Sequence, residues 1–472
     1  MRSIRTVLAA FFLLFFVPSF ATIQMNAFFG DHMVLQQQRD AALWGSAIPL
    51  KKVTVSTSWN HQKYNTLADA NGKWKLTVAT PQAGGPYEIK IEDANSTLTL
   101  KDIMIGEVWL LSGQSNMEMP MKGFKDQPIF GSNDALLEAE QDQIRLITVP
   151  RGVATLPLDT VKPCNWQKAH AESVSNFSAA GYYFGRRLHQ QLKVPIGLIC
   201  ISYGGSTAEA WMNATGLSAF PEIKIPAVAE KVSNKTATVL YNSMLHPFIG
   251  FTIKGCLWYQ GESNYDRPDQ YEKLFPAMVA QWRKDFGQGD FPFYFAQIAP
   301  YDYAQLPPYN AGGKYNSAWI RDAQRKAANS IPNSGMAVLL DIGDATTIHP
   351  GEKEKVGNRF ALLALGNTYE KKGFGYRSPV LDSSIVEGNI IRLKFRYANN
   401  GLTSFYKSLN SFEIAGADKN FRPAKALISR GQVIVSSPEV PKPLFVRYAF
   451  KDFVIGELFS TEGLPVSSFT TE

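Results

Sequence analysis

Histidine and cysteine are scarce in this chain, with six of the first and three of the second among 472 residues. The common zinc sites draw on Cys and His clustered at short spacings. Here His32, His61, His170, His189, His246 and His349 lie far apart, and Cys164, Cys200 and Cys256 form no C-x-x-C pair. A transition-metal site is not expected, and nothing calls for a cofactor. Three cysteines cannot all pair within one chain, which excludes a complete disulfide framework. Cys200 and Cys256 fall inside apolar runs at 197–201 and 255–258, where a thiol serves as a small apolar side chain.

Long basic runs are also missing. The formal charge is +7, but Lys and Arg are interleaved with Asp and Glu, which describes a soluble surface and not a nucleic-acid footprint. The one long apolar run is N-terminal. Arg2 and Arg5 precede an apolar stretch over 7–17, and Pro18-Ser19-Phe20-Ala21 closes it with small residues three apart. This is the pattern of a cleaved signal peptide over residues 1–21, since the run falls short of the ~20 residues of a spanning helix. The mature chain is expected to be exported, periplasmic or extracellular, with no stable membrane insertion.

What is abundant is core material: 45% of residues are apolar, including 30 Phe, 19 Tyr and 9 Trp, enough for two or three domains. Residues 22–102 alternate with period two between Asn71-Gly72 and Gly84-Gly85-Pro86 turn signals, which predicts an N-terminal β-sandwich. Over 103–370 the texture changes. Near-continuous apolar runs at 108–111, 196–202, 253–259, 293–298 and 336–341 alternate with helical periodicity at 175–191, 270–286 (kinked at Pro276), 317–330 and 351–369. That alternation specifies an α/β domain, a parallel sheet with helices on both faces. Period two returns over 371–472, a C-terminal β region.

In an open parallel sheet, ligands bind beyond the carboxyl ends of the strands. Polar residues follow the runs in order: Ser112-Gly113-Gln114-Ser115-Asn116-Met117, Tyr203-Gly204-Gly205-Ser206-Thr207, Gln260-Gly261-Glu262-Ser263-Asn264, and Asp344-Ala345-Thr346-Thr347-Ile348-His349-Pro350. Each alone reads as a turn, and Met117 breaks the G-x-S-x-G elbow of α/β-hydrolases. Together they suggest a serine with a base. His349 follows the last strand, whereas the rival His246 follows a helix. Gly204, Gly205 and Gln260 are candidate donors to an oxyanion.

The strings 106–117 (GEVWLLSGQSNM), 258–264 (WYQGESN) and Ile348-His349-Pro350 resemble the sialate O-acetylesterase family, a branch of the SGNH (GDSL-type) hydrolases. The resemblance runs over nearly the whole mature chain and implies an SGNH-hydrolase-like sheet. It implies Ser115 as nucleophile and His349 as general base. The oxyanion hole it implies comprises the Ser115 N–H, the Gly205 N–H (alternatively Gly204) and the Gln260 side chain. One departure stands out: SGNH enzymes commonly carry Asp-x-x-His, and here that position is Thr346. Either a longer loop brings Asp344 to the imidazole, or a backbone carbonyl or another acid orients the ring. Gln114, Asn116 and Glu262 are candidate substrate contacts, Trp211 and Tyr259 candidate sugar-stacking rings, and Arg321 a candidate partner for the carboxylate of a sialic acid. The substrate expected is an O-acetylated sugar or glycan. The alternatives are acetylated xylan or another plant polysaccharide, and a non-catalytic carbohydrate-binding protein.

Overall fold

The structure is a computed structural model that describes residues 23–305 and 316–472; the leader expected over 1–21 lies outside them. The α/β class and the flanking β regions are what the chain forms. The central sheet runs in the order Gln167–Ala169, Gln141–Thr148, Ile196–Ser202, Thr97–Gly113, Gly255–Tyr259, Phe293–Ala296, Ser334–Ala337. Every pairing is parallel except that of the short outer Gln167–Ala169 strand.

Its strands are apolar on both sides because both sides are covered. Trp258, Phe293 and Phe295 face the helices Pro268–Phe286 and Ala318–Ser330, through Phe275, Met278, Trp282 and Ile320. Trp109, Leu111, Leu198 and Leu257 face Ala179–Leu192 and Lys353–Leu363, through Phe184, Leu188, Val356 and Phe360. The first of the latter helices starts later than periodicity suggests because Ser178 caps it, its hydroxyl accepting from the Gly181 N–H. Pro276 sits within an unbroken helix.

The Thr97–Gly113 strand continues through residue 102 without interruption. Its first half pairs with Val34–Gln36 and Gly84–Glu92 in the N-terminal region, and its second half is the centre of the α/β sheet. A three-stranded sheet of Gln24–Met25, Asp40–Ser46 and Lys73–Ala79 packs Leu43, Trp74 and Val78 on Val53, Val55, Ile89 and Ile91, completing a sandwich. The C-terminal region holds two four-stranded antiparallel sheets. Among the described residues no helix is long and apolar enough to cross a membrane.

Candidate active site

Ser115 opens a one-turn helix, Ser115–Glu118, directly after the central strand. The turn that presents it needs Gly113, whose φ is +136° and where a Cβ would come within 2.2 Å of the Tyr259 carbonyl oxygen. The Gln114 N–H donates to that carbonyl, and the Gln114 Oε1 accepts from the Ser263 N–H at 3.2 Å. The serine loop is thereby fastened to the loop after the neighbouring strand.

His349 meets Ser115 from the opposite side. Its Nε2 lies 2.7 Å from Ser115 Oγ, and its Nδ1 lies 2.6 Å from Gln127 Oε1. An amide oxygen can only accept, so Nδ1 carries the proton and the Nε2 lone pair faces the serine hydroxyl. The Phe124 ring stands edge-on to the imidazole at 5.2 Å. Burial, with the Lys353 ammonium added, pushes the His349 pKa down to about 4.

Asp344 is not the partner of His349. Its Oδ1 accepts from the Thr346 N–H and hydroxyl, both at 2.7 Å, and from the Thr347 N–H at 3.1 Å. Those bonds hold its carboxyl below the usual range and shape the loop that carries the histidine. The residue on Nδ1, Gln127, had no strand-end signal to mark it.

Behind the pair lies a buried polar chain. Lys353 Nζ donates to Asn116 Oδ1 at 2.7 Å and to the Pro350 carbonyl at 2.8 Å. Asn116 Nδ2 donates to Glu262 Oε1 at 2.6 Å and to the Ile348 carbonyl at 3.0 Å. The carbonyls on either side of His349 are thus both gripped, one by Lys353 and one by the residue after Ser115. Burial lowers the lysine pKa to about 7 and raises that of Glu262. Asn116 and Glu262, read from sequence as substrate contacts, are buried supports.

The oxyanion donors divide. Gln260 is fully buried and both its amide hydrogens are taken, by the Ser206 carbonyl at 3.1 Å and Asn264 Oδ1 at 2.6 Å. The Gly204 N–H is taken by Glu118 Oε2 at 2.8 Å. Neither is a donor in this arrangement. The Ser115 N–H, at the first position of its helix, has no intrahelical acceptor, and among the described residues neither it nor the Gly205 N–H is hydrogen-bonded. Gly205 has a φ of +72°.

Three further readings are corrected. Arg321 is fully buried, donating to the Ala449, Lys451 and Asp452 carbonyls and to Ser468, so it clamps the C-terminal segment and meets no sugar. Trp211 is fully buried with its Nε1 on Ser206 Oγ, and Tyr259 is fully buried beneath Lys353; neither ring can stack on a ligand. His246 donates to or accepts no group of this site, its Nδ1 lying 2.9 Å from the Leu158 carbonyl.

Residues 105–362 match a family model described as carbohydrate esterase, sialic acid-specific acetylesterase. The sialate O-acetylesterase of Mus musculus is 31% identical over 415 residues, covering 75% of each chain. That of Homo sapiens is 30% identical over 384 residues, covering 75% of this chain and 72% of its own. Among solved structures, a carbohydrate acetylesterase from Xanthomonas citri superposes with a TM-score of 0.86 at 33% identity, covering 95% of this chain and 99% of its own.

Proposed function

The chain belongs to the sialic acid-specific acetylesterase family of carbohydrate esterases and is a carboxylic ester hydrolase of acetylated sugars, and we propose that it deacetylates O-acetyl sialic acids through an acetyl-serine intermediate. The observation that carries this mechanism is the 2.7 Å contact between Ser115 Oγ and Nε2 of His349. Ser115 attacks the acetyl carbonyl as His349 takes its proton. The tetrahedral oxyanion is received by the Ser115 and Gly205 N–H groups. Collapse expels the sugar oxygen, which recovers the proton from His349. Water, activated by the same imidazole, then releases acetate and free Ser115.

A base must be unprotonated to act, and His349 becomes half protonated only when the pH has fallen to its folded pKa. The kcat/KM for 4-nitrophenyl acetate is therefore expected to stay level down to about pH 5 and to fall with a midpoint near 4. A midpoint at the ordinary histidine value of about 6.5 would contradict the burial argument.

The substrate reading is tested by acetate release from O-acetyl-N-acetylneuraminic acid and from acetylated xylan at equal ester concentration. The sialic acid should be the better substrate by at least an order of magnitude. A preference for xylan would overturn it.

Export is part of the same proposal, resting on the leader pattern of residues 1–21. Expressed in a host with a signal peptidase, the chain should appear outside the cytoplasm with Thr22 as its first residue. Recovery of the full-length chain from the cytoplasm would count against it.

A further inference from the structure

We propose that Arg151, with Lys162 and the ring of Tyr203, forms a subsite for the carboxylate of an acidic sugar, next to the ester subsite at Ser115; this rests on the sialate reading above. A cavity of 290 Å³ opens there, lined by Arg151, Gly152, Val153, Leu158, Lys162 and Tyr203. The Arg151 side chain is 53% exposed, and its guanidinium carbon lies 4.9 Å from the centroid of the Tyr203 ring.

Its place relative to the serine is defined by one residue. A Cβ on Gly204 would stand 3.3 Å from Ser115 Cβ and 3.6 Å from Arg151 Nη2. Both groups therefore flank the same Gly204 position, close enough to each other for one sugar unit to span them. The link is also rigid. Glu118, three residues after Ser115 on the same helical turn, accepts from Arg151 Nε at 2.6 Å and Nη2 at 2.7 Å, and from the Gly204 N–H. An arginine held by two parallel bonds loses little freedom when it takes a further acceptor.

Capacity remains for a ligand. Arg151 Nη1 has no hydrogen bond among the described residues, and Lys162, donating to the Arg151 carbonyl, brings a second exposed cation. Glu118 offsets one of the two charges, which leaves a net positive rim suited to a carboxylate. The apolar sides, Val153 and Leu158, suit the ring and its N-acetyl group and not a second charge. This is the role that sequence reasoning gave to Arg321, transferred to a guanidinium that solvent reaches.

The test compares acetate release from O-acetyl-N-acetylneuraminic acid and from its carboxyl methyl ester, for the wild type, Arg151→Gln and Arg151→Lys. Each comparison is a ratio within one preparation, so partial loss of folding cancels. The wild type should prefer the free acid by about 10- to 100-fold in kcat/KM, chiefly through KM. Arg151→Gln should erase that preference, and Arg151→Lys should keep part of it. A preference that survives in Arg151→Gln, or activity lost in equal proportion on both esters, overturns the subsite. A wild type that deacetylates xylan but neither sialic acid derivative overturns the sialate reading itself, and does so before any variant is made.

Discussion

Replacing Ser115 by alanine is expected to lower acetyl-ester turnover about 10⁶-fold, and His349→Ala by about as much, because a nucleophile and its base act as one unit. The double variant should therefore be no slower than either single one. The structural reason is that each side chain has no substitute. The Ser115 hydroxyl is the group on Nε2 of His349, and Asp344, the nearest carboxylate upstream in the sequence, is committed to Thr346 and Thr347. Neither substitution touches the central strands, so circular dichroism and the thermal midpoint should change little. Initial rates of acetate release, followed with the single and double variants at equal enzyme concentration, measure the effect. Additive losses would mean that the two residues contribute separately and would break the pair assigned here.

Gln127→Ala should cost about 10³-fold in turnover with a much smaller change in KM, since its contact is with the base and not with substrate. The amide oxygen on Nδ1 fixes both the ring orientation and the proton on that nitrogen, which leaves the Nε2 lone pair toward Ser115. Losing the partner lets the imidazole turn or adopt the other tautomer, which presents an N–H to Ser115 where a lone pair is needed. The effect should stay below that of removing the histidine, because correctly oriented rings still occur in the variant. Gln127→Glu separates orientation from charge. A carboxylate there stabilises the imidazolium, so the acid limb of the pH profile should move upward from its midpoint near 4 while activity on the plateau is retained. A Gln127→Ala enzyme as fast as the wild type would leave the ring oriented by something else.

Much of this was legible in the sequence because the parallel strands are buried on both faces and so read as unbroken apolar runs. The Gln141–Thr148 strand escaped that signal, since Gln141, Asp142 and Gln143 make its first part polar and Arg145 interrupts the rest. Ser115 and His349 were legible from their places after the first and last strands. Gln127 was not: it lies in a loop far from any strand end, and an amide is not the residue type that the Asp-x-x-His pattern directs one to seek. Gln260 misled for the opposite reason. It does follow a strand, but Gly261 turns the chain, with a φ of +154°, and the side chain points back into Ser206 and Asn264. Arg321 was a candidate for the sialic acid carboxylate because the segment that buries it, 449–468, is more than a hundred residues away in the sequence. Arg151 gave no motif at all, and only the fold brings it beside Gly204.

The central claim, that Ser115 carries the acetyl group between sugar and water, is tested most directly by acid-quenching the enzyme during turnover of 4-nitrophenyl acetate and mapping its peptides by mass spectrometry. One acetyl group should be found on the peptide containing Ser115, absent from Ser115→Ala and transferred to water on the timescale of turnover. Rapid turnover with Ser115 never acetylated, or with the acetyl group on another residue, would contradict the mechanism.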